Sequence, residues 1–369
     1  MILTIDLGTS SIKGAIFLDS RPLRGLGRFI YKKQDVASWL QALDKLLSSL
    51  SWPERADLEA IVISGQGPTI VPVLKKEEVL KPLFYYQNHR MSADGDEPIE
   101  SYFLPKVAYF LHKKPELASE IQYFMSAPDY IAYWLTGEAV TSLPNEAYRN
   151  LIWSEQEQER YHFQKRWFPP YAMHREIGVV REERRNHFFL QRKVVVYTTL
   201  FDFLSALVGA GTIQEGDVLN RAGMSEGVNF IMSHKPSVES LPKTDTYWRI
   251  TPHLLPNLYN VGVVFDHVGR LMEQYDYSTE EAEVQLHIAK ITRIWNEFSG
   301  LPISLVRLCG GQTYYADVSR LKRRLSHYPL QVLRYTQAEL LGNVMYATWL
   351  RGYYHSLEES VAHFMKIMH

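Results

Sequence analysis

Short apolar runs separated by a turn of small polar residues open the chain. Residues 2–6 form one run, which ends in Asp6, and residues 12–18 form a second; a Gly-Thr-Ser-Ser turn joins them. Two β-rich runs with such a turn between them are typical of a hairpin. The pattern therefore predicts two antiparallel strands with a polar loop between them.

In the rest of the first half, the spacing of apolar residues is first typical of a helix and then of a strand, and the last stretch is mostly polar. Apolar residues recur at helical intervals from 35 to 50, which predicts an amphipathic helix. After it we predict a buried strand at 58–64 and a mostly helical stretch at 105–137 that ends at Gly137. The stretch 155–192 is polar, and we expect it to be irregular.

A second series of strands and helices begins with a strand at Lys193 and a helix that opens at Asp202. Further along, the pattern predicts a strand–turn unit at 217–230, a helix at 278–299 and a strand at 303–309. Two closing helices are predicted at 338–351 and 357–368. Strand hairpins followed by strand–helix alternation, in each half, indicate an α/β protein with two lobes. We place the boundary between the lobes near residue 217.

Composition narrows the class of protein. The 369 residues are 46% apolar and carry a formal net charge of -1, so no overall field favours nucleic acid or an anionic membrane. Cys309 is the single cysteine, which rules out an internal disulfide and fits a reducing compartment. We read no signal peptide and no apolar stretch near the ~20 residues of a membrane-spanning helix. We therefore expect a cytoplasmic protein without nucleic-acid or membrane partners.

The first turn carries the sharpest candidate chemistry. Gly8 can take backbone angles closed to other residues, so its neighbouring amides can point around an anion. Thr9 and Ser10 add hydroxyl donors, and Lys13 adds a positive charge within reach of a terminal phosphate. Asp6, at the strand end, is suited to a hydrated magnesium ion, which takes few carboxylates. An ordinary polar hairpin turn is the alternative interpretation.

Asp202 is the second candidate, because it opens an apolar helix directly after a buried strand. As a functional group it would accept the proton of a hydroxyl that attacks a γ-phosphate. As a structural group it would cap the helix N-terminus. The residue alone leaves both interpretations open.

Two further small-residue turns follow predicted strands. The pair Gly310 and Gly311 would let a flat ligand such as adenine lie against the backbone, and the turn with Gly223 and Ser225 could form a second phosphate loop. A tight turn and a plain hairpin are the respective alternatives. The basic stretch RLKRR at 320–324 is expected to be a solvated helix face rather than a nucleic-acid site.

Common nucleotide and metal motifs are missing from the sequence. It contains no GxxxxGK[ST], which disfavours a P-loop NTPase, and no GxGxxG in a Rossmann context. Its 13 histidines show no HExxH or zinc spacing.

Taken in order, the segments resemble the FGGY family of carbohydrate kinases, which includes xylulokinase, gluconokinase and glycerol kinase. The opening DLGTSSIKGAIFLD resembles that family's first phosphate loop, and the other similar segments follow in the family's order: SGQGPTIVPV (64–73), YQNHR (86–90), DYIAYWLTGEAVTS (129–142), the helix from Asp202, Gly310-Gly311, and ELLGNVMYATWLRGYYHSLEESV (339–361). The resemblance thus runs from residue 1 to about residue 361.

The resemblance implies two ribonuclease-H-like lobes with a cleft between them that closes over ATP and a sugar, as in actin and hexokinase. Residues 1–217 would form the N-terminal lobe and residues 218–369 a shortened C-terminal lobe. On that pattern Asp202 would be the catalytic base, and Asp6, also catalytic, would hold magnesium through water. The residues that bind phosphate and nucleoside would be Gly8, Thr9, Ser10, Lys13, Gly223, Ser225, Gly310 and Gly311. The residues that bind the sugar would be Gln66, Asn88 and Arg90. The family's members vary in oligomeric state, which allows a homodimer.

The sequence departs from the family's pattern at four positions. Met224 replaces the threonine of the second phosphate loop, and Gln312 replaces the third glycine of the adenosine turn. Asn88 replaces a sugar-contacting aspartate, and Thr199 stands where a glycine often precedes the base. Two hypotheses follow: an ATP-dependent kinase of a small sugar or polyol, with a pentulose slightly favoured, or a kinase-fold protein that binds nucleotide or sugar without turnover.

Overall fold

A computed structural model of the chain describes residues 1–18, 21–82 and 100–368. The chain divides into two compact units. Unit 1 comprises Met1–Ser205 and Tyr346–His355, and unit 2 comprises Ala206–Met345 and Ser356–His369. Among the described residues, no helix has both the length and the apolar character needed to cross a bilayer.

Among the described residues, unit 1 contains eleven strands and seven α-helices that lie wholly within it. The strands are β1 (Ile2–Leu7), β2 (Ser11–Leu18), β3 (Arg21–Ile30), β4 (Ala60–Gly65), β5 (Ile70–Leu74), β6 (Ile121–Ser126), β7 (Thr141–Ser142), β8 (Tyr171–Ala172), β9 (Glu176–Val179), β10 (Val195–Tyr197) and β11 (Leu200–Phe201). The helices are α1 (Val36–Ser48), α2 (Trp52–Asp57), α3 (Leu104–Lys113), α4 (Ala127–Thr136), α5 (Arg149–Trp153), α6 (Glu155–Arg160) and α7 (Glu182–His187).

The main sheet of unit 1 has the strand order β3-β2-β1-β4-β10-β9, with β11 also paired to β4. Strands β1, β2 and β3 form an antiparallel meander, whereas β4 runs parallel to β1, β10 and β11. All six residues of β1 are buried, because β1 lies in the middle of the sheet. Helix α1 packs its apolar side, which includes Trp39 and Leu43, into the same core.

Unit 2 repeats this arrangement. Its strands are β12 (Asp217–Ala222), β13 (Glu226–Met232), β14 (Trp248–Pro252), β15 (Tyr259–Phe265), β16 (Leu305–Cys309) and β17 (Leu330–Val332), in the order β14-β15-β13-β12-β16-β17. Strand β13 is antiparallel to both β12 and β15, β14 pairs with β15 at the edge of the sheet, and β16 runs parallel to β12 and β17. The hairpin β12–β13 therefore corresponds in topology to the hairpin β1–β2.

The helices of unit 2 are α9 (Val268–Gln274), α10 (Ala282–Asn296), α11 (Ala316–Leu325) and α13 (Leu357–Met368). Two more helices, α8 (Asp202–Gly209) and α12 (Ala338–Leu350), each begin in one unit and end in the other. An apolar cluster from the sheet and from α10 forms the core, in which the rings of Phe230 and Phe298 stack with centroids 3.8 Å apart.

The division between the units falls after Ser205, and the segment Tyr346–His355 belongs to unit 1. The lobes 1–217 and 218–369 stay a prediction. Helices α8 and α12 each cross the division between the units. Because the apolar pattern of a helix continues across the division, the sequence does not reveal where one unit ends.

The predicted elements agree best where apolar residues form long periodic runs. The stretch 105–137 was expected to be mostly helical, but β6 lies inside it between α3 and α4 and pairs with β5. The polar stretch 155–192 was expected to be irregular, yet it contains α6, α7 and the edge strand β9. Gly137 ends α4 as predicted, with a positive φ of 83° at the C-cap.

Candidate active site

Three parallel strands of unit 1 bring the two predicted catalytic carboxylates to one edge of the sheet. Asp6 is in register with Ser64 of β4, and Ser64 is in register with Leu200 of β11. Asp202 follows two residues after Leu200, at the start of α8. The carboxyl ends of parallel strands are where α/β sheets place their ligands. The residues Asp6, Gln66 and Asp202 all follow or end strands at this edge.

Asp6 itself is 3% exposed. Its Oδ1 accepts a hydrogen bond from the Ser64 hydroxyl at 3.1 Å, and its Oδ2 lies 3.7 Å from Nζ of Lys13, which is opposite Asp6 in the β1–β2 register. A carboxylate already engaged on both oxygens suits a metal ion that keeps its water shell, as Mg²⁺ does. Lys13 is less buried and presents its positive charge at the same loop.

The first loop, residues 8–10, is held in one conformation by contacts from β3 and the segment after it. The Gly8 N–H donates to the Ser11 carbonyl at 3.0 Å. The Tyr31 hydroxyl donates to the Gly8 carbonyl, and the Gln34 amide donates to the Thr9 carbonyl. Burial is the main cause that raises the pKa of Tyr31, followed by the negative charge of Asp6, so this hydroxyl keeps its proton.

Arg28 is a residue of this loop that the sequence interpretation missed. Its Nε donates to the Ser11 hydroxyl at 2.8 Å, and its guanidinium also donates to the Ser10 hydroxyl at 2.9 Å. The loop therefore has a second positive charge beside Lys13. Arg28 reaches it because β3 pairs with β2, placing Arg28 opposite Lys13. Strand β3 was not predicted, so no sequence signal connected Arg28 with the loop.

Gln66 follows β4 and is 2% exposed. Neither its side-chain nitrogen nor its side-chain oxygen has a hydrogen-bond partner in the part of the chain that the structure describes. The hydroxyl of Thr69 is also buried and also has no hydrogen-bond partner among the described residues. An unpaired buried amide costs about 1–3 kcal/mol, so its retention points to a polar ligand. The other two predicted sugar-binding residues, Asn88 and Arg90, lie outside the described residues.

Asp202 starts α8, partly exposed, and its Oδ1 accepts a hydrogen bond from the N–H of Phe203 at 2.7 Å. Thr199, which replaces the family's glycine, has a partner of its own: its hydroxyl donates to Asp129 Oδ1 at 2.7 Å. Its N–H donates to the Ser142 hydroxyl at 2.8 Å. The substitution at Thr199 is thus accommodated by a buried polar cluster that fixes the segment leading to Asp202.

In unit 2 the structure joins the second small-residue loop, 223–225, to the turn that begins at Gly310. Gly310 has a φ of 100°, and a Cβ placed there would lie 2.5 Å from the Ala222 carbonyl oxygen. Gln312 donates through Nε2 to the Gly223 carbonyl at 2.9 Å. Glycine at 310 is therefore required both by the backbone angle and by the close approach of β12.

The remaining residues of this loop are fixed by their own contacts. The Ser225 hydroxyl donates to Asp266 Oδ1 at 3.2 Å, and the Met224 carbonyl accepts from the Gly269 N–H at 2.8 Å. The Met224 side chain is 41% exposed. A Cβ placed at Gly311 would have no described atom within 4 Å of it.

The expectation of a solvated basic helix face is wrong at one residue. Arg320, Arg323 and Arg324 of α11 are exposed, but Lys322 is fully buried. Its Nζ donates to Asn220 Oδ1 at 2.8 Å and to Glu226 Oε1. The carboxylate that compensates Lys322 lies 96 residues away in sequence, so local pattern could not reveal it.

Comparison with known proteins gives relatives in sequence and in structure. No family model matches the chain. It is 26% identical over 279 residues to a xylulose kinase of Lactococcus lactis, covering 64% of this chain and 54% of the relative. It is 24% identical over 335 residues to a xylulose kinase of Staphylococcus epidermidis, covering 80% and 65%. The chain thus spans between about half and two thirds of the length of these curated relatives.

Solved structures show the fold. A ligand-bound xylulose kinase from Lactobacillus acidophilus superimposes with a TM-score of 0.76 at 16% identity, over 99% of this chain and 92% of the other. A glycerol kinase from Plasmodium falciparum with ADP gives 0.77 at 13% identity, over 98% and 92%. The chain therefore has the two-domain, actin- and hexokinase-like ATPase fold, as predicted. With the sequence relatives, these neighbours confirm the resemblance to carbohydrate kinases.

Proposed function

We propose that this relative of the FGGY carbohydrate kinases transfers the γ-phosphoryl group of ATP to a hydroxyl of a small sugar or polyol, with a pentulose favoured. The observation that carries the proposal is the register of β1, β4 and β11, which sets Asp6, Gln66 and Asp202 at one sheet edge. The sequence relatives named xylulose kinases support the pentulose.

In this proposal Asp202 accepts the proton of the attacking hydroxyl. The sugar oxygen forms a bond to the γ-phosphorus, the bond from that phosphorus to the bridging oxygen breaks, and ADP leaves. Asp202 is partly exposed at a helix N-terminus, a position that a substrate hydroxyl would be able to reach. The orphaned amide of Gln66 supports a role in holding the sugar, together with Asn88 and Arg90.

The phosphates would be held by the first loop, through Gly8, Thr9 and Ser10, with Lys13 and Arg28 supplying positive charge. Positioning and charge stabilisation supply most of the catalysis of phosphoryl transfer, so two cations beside one carboxylate suit the reaction. Magnesium, when bound, would neutralise charge on the phosphates, and Asp6 would hold it through water.

In unit 2, Gly223 and Ser225 would form the second phosphate loop, and Gly310 and Gly311 would lie against the nucleoside. In the predicted division, residues 1–217 would carry the first phosphate loop, the sugar site and the base, and residues 218–369 the second phosphate loop and the adenosine site. Residues that make up the glycine turn and the second loop lie against each other, which supports a common ligand. A cytoplasmic location and a homodimer stay predictions.

A coupled assay of ADP release tests the proposal over pentuloses, hexoses, gluconate and glycerol, with ATP and magnesium. We expect sugar-stimulated ADP release, fastest with a pentulose. No stimulation by any of these compounds, from folded protein that binds ATP, would instead support a regulatory binding module. Neither nucleotide nor sugar binding would contradict both functions.

A further inference from the structure

A buried charged network lies at the base of the loop 223–225 in unit 2. Lys322 of α11 and Glu226, the first residue after the loop, are both fully buried and form an ion pair. Lys322 also donates to Asn220 Oδ1 at 2.8 Å, and Asn220 lies on β12, the strand that enters the loop. One ammonium group on α11 therefore contacts both strands that carry the loop.

The network is completed by hydrogen bonds on every side of the Glu226 carboxylate. Asn220 donates through Nδ2 to Glu226 Oε1 at 2.9 Å and to the Gly227 carbonyl at 3.1 Å. His287 of α10 lies with Nε2 3.0 Å from Glu226 Oε2. Burial by itself raises the pKa of Glu226, but the charge of Lys322 and the contact with His287 outweigh it and hold the pKa at about 2.

Stability does not explain why a charged pair occupies this position. The desolvation of two buried charges offsets most of their attraction, and well-packed apolar residues of similar volume often stabilise a core equally well. The surrounding core of unit 2 is built from such residues. A buried ion pair whose hydrogen bonds are all satisfied can, however, fix the relative arrangement of the strands and helix that carry it, here β12, β13 and α11.

A second link joins the same two segments at their tips. Gln312, 2% exposed, donates to the Gly223 carbonyl at 2.9 Å. Gln312 belongs to the short helical turn Gly311–Tyr314, which leads directly into α11 and so to Lys322. Gln312 thus ties the loop 223–225 to the turn 310–312. At the base of the loop, Lys322 ties the two strands that carry it to α11, the helix that follows the turn.

We propose that Lys322 and Gln312 are positioning residues that fix the loop 223–225 against the turn 310–312 at the spacing a bound nucleotide requires. The inference rests on the proposed function, which assigns both segments to the nucleotide. It also gives Gln312 a role: the side chain that replaces the family's third glycine is the one that holds Gly223. Neither residue takes part in the chemistry of transfer.

The double variant Lys322→Met with Glu226→Gln tests the inference, because it removes both charges and leaves neither buried alone. We measure ADP binding in magnesium by calorimetry, the unfolding temperature without ligand, and the KM for ATP and for the sugar. We expect an unfolding temperature close to that of the unsubstituted protein but ADP binding weakened roughly tenfold, about 1.4 kcal/mol. The KM for ATP rises by a similar factor while the KM for the sugar is unchanged.

The matched control is Lys290→Met with Asp245→Asn, which removes an exposed ion pair from the same unit. Unchanged ADP binding in the folded double variant, or an equal loss in the control, overturns the inference. If the double variant does not fold, Gln312→Leu decides, since it removes the tip contact without exposing a buried charge: weaker ADP binding supports the inference and unchanged binding overturns it. Failure of the unsubstituted protein to bind ADP overturns the proposed function and this inference together.

Discussion

Single residues of the candidate site differ in what surrounds them, and the difference separates their proposed roles. Asp6 is buried, with Ser64 on one oxygen and Lys13 near the other. Asp202 is partly exposed at the start of a helix. A buried, engaged carboxylate suits a fixed metal site, whereas a base has to reach the hydroxyl of a substrate.

Replacing Asp202 by Asn tests the proposed base. The amide keeps the shape of the side chain but cannot accept the proton, so we expect turnover to fall by about 10²–10⁴-fold. ATP binding, measured by calorimetry, should be nearly unchanged. Asp44→Asn serves as the control, because Asp44 is an exposed carboxylate that pairs with His187. Turnover retained within a few-fold in Asp202→Asn would rule out this residue as the base.

Replacing Gln66 by Met tests whether its buried amide is kept for a ligand. The amide has no partner among the described residues, so its removal should raise the free energy of unfolding by about 1 kcal/mol or more. The KM for the sugar should rise roughly tenfold, as expected for one lost hydrogen-bonding group.

Gln158 offers a matched control for that substitution. It is also buried, but its Nε2 donates to the Trp153 carbonyl at 3.0 Å. Gln158→Met should therefore lower the free energy of unfolding and leave the sugar KM unchanged. Destabilisation of equal size in both variants, in urea unfolding, would show that Gln66 has a structural role.

The roles of single site residues could be predicted from the sequence only where the motifs follow one another in the family's order. The positions of Asp6 and Asp202 at strand ends followed from local apolar runs. The roles of Arg28 and Lys322 could not be predicted, because each depends on partners brought together by tertiary pairing: Arg28 with the loop across β2, and Lys322 with Glu226 from 96 residues away. Asn88 and Arg90 stay predictions.

Among the elements, the glycine turn after β16 is constrained by both its backbone angle and its neighbour. Gly310→Ala would place a methyl group 2.5 Å from the Ala222 carbonyl oxygen at a φ of 100°. We expect a loss of about 1–3 kcal/mol in the free energy of unfolding. Gly311→Ala, where nothing lies within 4 Å of the added Cβ, should be nearly neutral. Similar urea midpoints for the two variants would contradict this description of the turn.

The hairpin β12–β13 carries a pH dependence through Glu226. The folded-state pKa is about 2, below the ordinary value of 4.5, so stability from this group is fully present above pH 4.5 and decreases as the pH falls towards 2. Urea unfolding at pH 7 and pH 3 should show a smaller acid loss in Lys322→Met with Glu226→Gln than in the unsubstituted protein. Parallel losses would show that Glu226 does not contribute.

Element boundaries were predictable where apolar periodicity was long and uninterrupted, as in α1 and α13. The strands β3, β14 and β15 escaped prediction. In β3, two glycines and a proline (RPLRGLGRFI) obscure the alternation, yet pairing with β2 defines the strand. Strand β6 was merged into a helix because Ile121–Ser126 (IQYFMS) is a short aromatic and apolar run, which local pattern alone does not distinguish from part of a helix. Tertiary pairing decides such segments.

The two units share five strands in the same order, β3-β2-β1-β4-β10 in unit 1 and β15-β13-β12-β16-β17 in unit 2. The first hairpin of each unit carries a small-residue loop: residues 8–10 in unit 1 and 223–225 in unit 2. The two loops are built differently, since Lys13 and Arg28 serve the first, whereas the second is tied down by Gln312 and buried charges. The sequence suggested two lobes, but helices α8 and α12 conceal where one unit ends.

The most direct test of the proposed kinase activity is transfer of the terminal phosphate from γ-labelled ATP to a pentulose such as D-xylulose. The unsubstituted protein should produce labelled sugar phosphate in equal amount to the ADP released, and Asp202→Asn should produce almost none. Label found only in inorganic phosphate, or no ADP at all from folded protein with any pentulose, would contradict it.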